Sequence, residues 1–175
     1  MAQGLRHGPL HEEAMRETGL DDFGDPRFRE PMERLLFSLD HEARLTESGR
    51  AAQRERIIGS LVTRLSAEAL IARHPEIEDE KLDAPLVIVG PTRSGTTRLH
   101  RMLSVDPRHL TVLWWENRSP VPRAGTDWRR DDPRITEARE EVRQVLTAAP
   151  QMKAIHPWDP MGPDEDALLC EHAFL

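Results

Sequence analysis

The chain has a single cysteine, Cys170, and only two lysines, Lys81 and Lys153. One cysteine excludes an internal disulfide and a cysteine metal cluster. The N-terminal stretch MAQGLRHGPLHEEAM contains no apolar run typical of a secretion signal. An apolar run of about 18 residues, which a membrane-spanning helix requires, is also missing from the sequence. These absences favour a cytoplasmic protein.

The sequence is also poor in positive charge relative to negative charge. Its formal net charge is −7, which argues against a general role in binding nucleic acid or a membrane surface. At 175 residues, the chain suits one domain or a part of a larger one. A hydrophobic content of 38% and a charged content of 31% indicate a soluble chain with a modest core.

Residues 1–82 are predicted to form a helical N-terminal region. Asp25 followed by Pro26 is typical of a helix start. Apolar residues then recur at helical spacing in two stripes: Met32, Leu35, Leu36 and Leu39, and Ile57, Ile58, Leu61, Val62 and Leu65. The second helix is expected to end before His74, because a residue that precedes proline disfavours helical geometry.

The second region, residues 83–175, is predicted to contain a parallel sheet. The short β-branched run from Leu86 to Val89 is typical of a strand that is buried on both faces. Residues 110–115, LTVLWW, predict a second strand, and Leu99 and Met102 are expected on the buried side of the helix between the two strands. The expected fold class is therefore α/β: a P-loop-like parallel sheet flanked by helices, with a helical lead-in. Because such a sheet needs several strands, we expect the chain to be the N-terminal part of something longer.

The turn after the first predicted strand has the composition of an anion-binding loop. Gly90 and Gly95 bound the loop, and Thr96 and Thr97 follow at the start of a predicted helix. Backbone N–H groups, the helix dipole and the hydroxyls all favour a bound anion at such a junction. A plain glycine turn between a strand and a helix is the alternative interpretation.

The loop departs from the nucleotide triphosphate pattern at one position. That pattern has lysine after the second glycine, where it reaches the β- and γ-phosphates, whereas this chain has Thr96. The only cation within the loop is Arg93. A ligand with fewer negative charges than a triphosphate is therefore favoured, and metal-dependent phosphoryl transfer is disfavoured.

These residues resemble a known family. The run PLVIVGPTRSGTTRLHRMLSVDP is similar to the 5′-phosphosulfate-binding loop of sulfotransferases, in the bacterial and tyrosylprotein-like branch. The segments WWENRSPVP, DDPRITEAREEV and IHPWDPMGPDEDALL extend the similarity over about the second half of the chain. The resemblance implies that residues 83–175 are the N-terminal part of a sulfotransferase domain, with its phosphosulfate-binding loop at 90–97.

The resemblance also implies a reaction and roles for individual residues. The enzyme would transfer a sulfonate from 3′-phosphoadenosine 5′-phosphosulfate to an acceptor hydroxyl or amine without a metal. Arg93 would contact the 5′-phosphate and the sulfonate, and Glu116 would be the base. The 5′-phosphate would be held by four consecutive residues of the loop: Ser94, Gly95, Thr96 and Thr97. The 3′-phosphate site of the family has no match in this chain.

Several alternatives stay open at this stage. The chain can be a kinase-like P-loop protein or a non-catalytic fragment, and Glu116 can be an ordinary solvated glutamate. His156 can line an acceptor pocket or anchor a loop. The acids at positions 164–166 can bind a cationic acceptor or simply complement a helix dipole. We expect Cys170 to be a buried small residue. The acceptor is expected to be a small molecule, a glycan or a lipid, with no nucleic-acid partner.

Overall fold

A computed structural model describes residues 5–91, 93–123, 125–127 and 130–175. Contacts between residues divide the chain into two compact units. The first, which we call the helical unit, comprises Met1–Glu80 together with Cys170–Leu175. The second, which we call the loop unit, comprises Lys81–Leu169. Each unit has its own core, and each is described here by itself.

The helical unit contains three long helices in its described residues: α1 (His7–Thr18), α2 (Arg29–His41) and α3 (Glu47–Arg73). Short 3₁₀ turns at Pro26–Phe28 and Pro75–Asp79 begin with the prolines that suit a first helical position. The predicted helical character of this region is thereby seen in the structure, including the end of α3 before His74.

Local side chains explain where these helices begin and end. The carboxylate of Asp25 accepts a hydrogen bond from the Arg27 backbone N–H at 2.9 Å, which starts the turn that leads into α2. Thr46 caps α3 through its hydroxyl, which accepts from the Gly49 N–H at 3.1 Å. Gly19 ends α1 in the left-handed conformation with a φ of 70°.

The core of the helical unit is formed by apolar side chains from all three helices and the segment between α1 and α2. Both stripes read from the sequence contribute to it. Arg64 also covers this core, since its guanidinium lies 4.3 Å from the Phe28 ring centre and its Nε donates to the Phe23 carbonyl at 2.6 Å. The buried members are Leu5, Leu10, Ala14, Phe23, Phe28, Met32, Leu36, Leu39, Ile57, Ile58, Leu61 and Leu65.

The loop unit contains shorter helices joined by extended and irregular segments. They are α4 (Thr96–Leu103), α5 (Trp114–Arg118), α6 (Pro133–Ala148) and α7 (Ala167–Cys170). The last residue of α7, Cys170, is the first residue of the C-terminal segment that belongs to the helical unit. Asp132 caps α6, because its carboxylate accepts from the Arg134 N–H at 3.0 Å. A small core forms around Trp114, Ala138 and Val142.

The predicted parallel sheet is wrong for this structure. Within the described residues no strand is present, and residues 86–89 have no regular secondary structure and lack the ladder of hydrogen bonds that defines a strand. The physical reason is that a parallel strand is stabilised by neighbours that bond to its backbone on either side. The side chains of Leu86, Val87 and Val89 are accordingly exposed, at 63%, 72% and 87%.

The second predicted strand, residues 110–115, is also wrong. A helix begins at Trp114, and the preceding residue, Leu113, forms only an isolated antiparallel bridge with Pro163. Leu99 and Met102 were expected on the buried side of α4, yet they are 47% and 64% exposed. Their exposure has the same cause, since the sheet that would have covered them is not present. In the part of the chain that the structure describes, no helix is both long and apolar enough to cross a membrane.

Candidate functional site

The predicted anion-binding loop lies between the apolar run 86–89 and helix α4, within the loop unit. Thr92 falls inside the loop but outside the described residues. The remaining residues form one tight turn, in which the Ser94 N–H donates to the Pro91 carbonyl at 3.1 Å. The structure therefore brings Arg93, Ser94, Gly95, Thr96 and Thr97 together as consecutive residues of a turn and the first turn of a helix.

Two residues of the loop have left-handed backbone conformations. Gly95 has a φ of 91°, which a residue with a side chain rarely adopts. Arg93 has a φ of 66°, although it is not a glycine, and such a conformation costs about 1–2 kcal/mol. Strain of this kind is frequent at functional sites, where surrounding contacts enforce it.

The loop also requires glycine at position 90, for a different reason. A Cβ atom at Gly90 would lie 2.7 Å from the Ser94 Oγ and 3.0 Å from the Thr96 Cγ2. Both distances are shorter than ordinary van der Waals contact, so a side chain there would displace two of the predicted anion ligands. At Gly95, by contrast, an added Cβ meets nothing within 4 Å, which leaves the approach to the backbone open.

The N-terminus of α4 is available to an anion. Among the described residues, no side chain caps this helix end. The first amides of a helix have no acceptor within the helix, and they carry the positive end of its dipole. The residues Ser94 and Gly95 are exposed, whereas Thr96 and Thr97 are half-buried. Together they present hydroxyl and amide donors around one open helix end.

Arg93 is held by a contact with a distant part of the loop unit. Its Nη1 donates to the Ile155 carbonyl at 2.8 Å. The side chain stays exposed, and the contact uses only one of its nitrogens. The guanidinium is thus positioned next to the turn while further N–H groups can bind a ligand.

Glu116, the predicted base, lies in the first turn of α5 and is half-buried. Its Oε2 accepts a hydrogen bond from the Leu113 N–H at 2.8 Å, so the carboxylate caps its own helix. Only one of the two carboxylate oxygens takes part in this bond. The neighbouring residue, Asn117, is fully buried and links α5 to residue Glu165 through a 3.5 Å contact from its Nδ2 to the Glu165 carbonyl.

Sequence reasoning did not assign Glu165 to the loop. In the structure, the hydroxyl of Thr97 donates to its Oε1 at 3.2 Å. Thr97 and Glu165 are far apart in sequence, and the acids at 164–166 have an ordinary explanation as the start of a helix. The sequence therefore contains no signal that pairs Glu165 with Thr97.

His156 and Asp164 form a pair close to the same segment. The His156 Nε2 lies 2.9 Å from the Asp164 Oδ2, and the Asp164 side chain is buried. Trp158 packs edge-on against His156 at 5.5 Å between ring centres. This arrangement corresponds to the loop-anchor interpretation of His156.

Cys170 is exposed, so the expectation of a buried cysteine is wrong. It belongs to the last short helix rather than to either core. The described residues contain no group of three or more histidine, cysteine, aspartate or glutamate side chains arranged for a metal ion.

Comparison with known proteins places this loop in a family. Residues 85–175, which include the whole loop and α4 to α7, match the Sulfotransferase family. No curated protein matches the chain.

Two solved structures are similar to the chain over nearly its whole length. The sulfotransferase STF1 from Mycobacterium tuberculosis H37Rv is 29% identical over 98% of this chain, with a TM-score of 0.79. The sulfotransferase STF9 from Mycobacterium avium is 28% identical over 99% of this chain, with a TM-score of 0.81. The aligned parts are 47% and 45% of those two chains, so this chain spans about half the length of the structures it matches.

Proposed function

The chain belongs to the sulfotransferase family, and we propose that its loop binds the 5′ end of 3′-phosphoadenosine 5′-phosphosulfate for transfer of the sulfonate to an acceptor hydroxyl or amine. The family supports the general type of reaction, while the donor and the acceptor are our proposals. The observation that carries the proposal is the uncapped N-terminus of α4 in the same loop as Arg93, because a helix N-terminus and a guanidinium each favour a bound anion.

The residues of the loop fit the donor chemically. Ser94, Thr96 and Thr97 supply hydroxyls, and Gly95 leaves its backbone N–H open to close approach. Arg93 supplies the only cationic side chain of the segment 90–97. When bound, the donor supplies the sulfonate and the nucleotide that leaves. The loop is suited to hold a phosphate of low charge, since it lacks the lysine that reaches the outer phosphates of a triphosphate.

Arg93 is proposed to stabilise negative charge on the oxygens of the transferring group. Arginine stays protonated at any physiological pH, so this role is electrostatic and not acid–base. The bond to the Ile155 carbonyl holds the guanidinium in place before a ligand arrives. A charge that is already positioned needs no reorganisation during the reaction, which is why such groups contribute strongly to catalysis.

Glu116 is proposed to take the proton of the acceptor. One of its oxygens holds the Leu113 N–H, which fixes the orientation of the carboxylate. The other oxygen is the one that would accept the proton. A positioned general base contributes about 10²–10⁴-fold to rate.

The test combines nucleotide binding with one matched pair of variants. We expect isothermal titration calorimetry on the purified protein to show tighter binding of 3′-phosphoadenosine 5′-phosphate than of ATP with magnesium. Arg93→Ala should lower turnover about 10²–10³-fold, the range for loss of one positioned donor to a developing charge. Arg98→Ala removes the same charge from an exposed position on α4 and should leave turnover within a few-fold.

Two outcomes contradict the proposal. Tighter binding of ATP with magnesium would favour a kinase-like protein. Binding of neither nucleotide would favour a non-catalytic role. If Arg93→Ala and Arg98→Ala have equal effects on turnover, Arg93 does not have the assigned role.

A further inference from the structure

The segment from Ile155 to Glu165 contacts the loop at two points, through a neutral backbone carbonyl at one and through a carboxylate at the other. At Ile155 a carbonyl accepts from Arg93, which leaves the positive charge of the loop intact. At Glu165 a carboxylate accepts from the Thr97 hydroxyl, which places a negative charge beside a residue that is proposed to bind the anion. A carboxylate at this place is unexpected, because it opposes the binding of any anion.

The position of Glu165 is determined by buried neighbours. Its backbone N–H donates to the Asp164 Oδ1 at 2.7 Å, and Asp164 is only 4% exposed. The other oxygen of Asp164 lies 2.9 Å from the His156 Nε2. The Glu165 carbonyl faces the amide of the fully buried Asn117 at 3.5 Å. The main chain of Glu165 is thus held on both sides, while its side chain extends to the exposed loop.

A bound anion would compete with this carboxylate. A threonine hydroxyl has a single hydrogen, so Thr97 cannot donate to Glu165 and to a ligand at the same time. A ligand oxygen bonded to the Thr97 hydroxyl would lie no farther than about 6 Å from the Glu165 Oε1. At that separation two like charges repel appreciably, even where solvent partly screens them.

We propose that Glu165 determines the charge selectivity of the loop, by disfavouring ligands with several negative charges near Thr97. The inference rests on the proposed anion-binding role of the loop. The repulsion grows with the number of charges on the ligand close to the loop, so a polyphosphate is opposed more strongly than a single phosphate or a phosphosulfate. Glu165 therefore acts together with the missing lysine. The absence of the lysine removes an attraction for triphosphates, and Glu165 adds a repulsion.

The experiment compares two ligands in two matched variants. Glu165→Gln removes the charge but keeps an amide oxygen that can accept from Thr97. Asp166→Asn makes the same charge change at the next residue, whose side chain is exposed. Each protein is titrated with tripolyphosphate and with 3′-phosphoadenosine 5′-phosphate, at an ionic strength where charges beyond about 8 Å are largely screened.

We expect Glu165→Gln to tighten tripolyphosphate binding roughly tenfold and 3′-phosphoadenosine 5′-phosphate binding no more than about threefold. Asp166→Asn should change either affinity less than about twofold. Equal gains for the two ligands, or equal gains in the two variants, overturn the proposal. So does the absence of tripolyphosphate binding in Glu165→Gln.

These outcomes are distinct from a failure of the proposed function. A wild-type protein that does not bind 3′-phosphoadenosine 5′-phosphate contradicts the sulfotransferase proposal. The comparison of Glu165→Gln with Asp166→Asn in the tripolyphosphate titrations requires neither turnover nor binding of 3′-phosphoadenosine 5′-phosphate, so it tests the charge selectivity even in that case.

Discussion

The two units of the chain are stabilised in different ways. Among the described residues, the core of the helical unit contains twelve buried apolar side chains and the core of the loop unit contains three. In the loop unit, polar contacts connect segments distant in the sequence, for example Arg93 to the Ile155 carbonyl and Thr97 to Glu165. Apolar burial is the main source of folding free energy, so we expect the helical unit to be the more stable of the two.

The loop unit leaves a considerable apolar surface exposed. It includes most of the first predicted strand and one face of α4: Leu86, Val87, Val89, Leu99 and Met102. The proposed binding loop lies between these two exposed segments. Ligand-binding segments are commonly found in the less stable part of a structure, where few apolar contacts resist a change of conformation. The larger apolar core and the candidate site of this chain therefore lie in different units.

The tripeptide Asp-Pro-Arg occurs three times in the chain, so the same ion pair can be compared at an exposed and at a buried position. In all three copies the aspartate accepts from the backbone N–H of the arginine and bonds its guanidinium: residues 25–27, 106–108 and 132–134. The side chains of Arg108 and Asp106 are 84% and 30% exposed, whereas those of Arg134 and Asp132 are 6% and 4% exposed. All three copies share these local hydrogen bonds, but the third copy is buried and also caps α6.

The largest expected effect breaks the buried copy of this motif. Asp132→Ala would leave the Arg134 guanidinium buried without its carboxylate and would remove the cap of α6. We expect the free energy of unfolding of the loop unit to fall by about 3–5 kcal/mol. Urea denaturation followed by tryptophan fluorescence measures this unit specifically, since all four tryptophans lie between Lys81 and Leu169.

Asp106→Ala is the matched control, because it removes the same pair from an exposed site. The Arg108 guanidinium lowers the pKa of Asp106 to about 2, yet an exposed ion pair contributes little to stability. The urea midpoint of the Asp106→Ala variant should therefore stay close to that of the wild-type protein. Equal losses for the two variants would show that burial does not determine the energy of the motif.

The next effect tests the core of the helical unit. Leu61 is fully buried in α3, and Leu61→Ala should lower the free energy of unfolding by about 2–5 kcal/mol through lost burial and the cavity left behind. Far-UV circular dichroism measures it, because the three long helices of this unit dominate the signal. Leu82→Ala makes the same change at a side chain that is 92% exposed and should be nearly neutral. A small loss at Leu61 would contradict the assignment of the stable core to this unit.

The smallest expected effect is a difference in acid sensitivity between the units. Burial lowers the pKa of His11 below its ordinary value of 6.5, so the helical unit holds this ring neutral. The stability from this group is complete above pH 6.5 and is lost as the pH falls through the lowered pKa. His7, stacked on it at 3.7 Å between ring centres, has its pKa lowered by burial as well.

In the loop unit, the hydrogen bond from Arg134 lowers the pKa of Asp132 below its ordinary value of 3.8. Stability from this carboxylate is present above pH 3.8 and is lost only below it. On going from about pH 7.5 to about pH 5, we expect the urea midpoint from circular dichroism to fall more than the one from tryptophan fluorescence. His11→Phe should abolish most of the difference. If the His11→Phe variant shows the same loss of urea midpoint at low pH, groups other than His11 cause the acid sensitivity.

Several helices of this chain could be predicted from its sequence, whereas the predicted sheet is absent from the described residues and α5 begins inside a predicted strand. Asp25 and Asp132 cap turns that their own neighbouring residues complete, and the apolar stripe at 57–65 follows the helical period. A strand depends on partners far away in sequence. The run 86–89 has the composition of a buried strand, but composition does not supply a neighbouring backbone.

The same distinction holds for the candidate site. The match to the Sulfotransferase family covers the contiguous run from Arg93 to Thr97, whose role as anion ligands stays a prediction. The contact between Thr97 and Glu165 joins residues 68 positions apart, and no local pattern indicates it. Glu116 stays a prediction as a base, while its role as a helix cap is visible only in the structure.

The sequence by itself determined the turn capped by Asp25, the helical period of residues 57–65, the residues of the proposed anion-binding loop and the family that the chain resembles. These features depend on neighbours in the chain, so short-range sterics and hydrogen bonds decide them. Only the tertiary structure decided that one Asp-Pro-Arg motif is buried, that the apolar run 86–89 is exposed and that Glu165 lies beside Thr97. Those features depend on which distant segments of the chain come into contact. Burial then determines how strongly each charged group contributes to stability or binding.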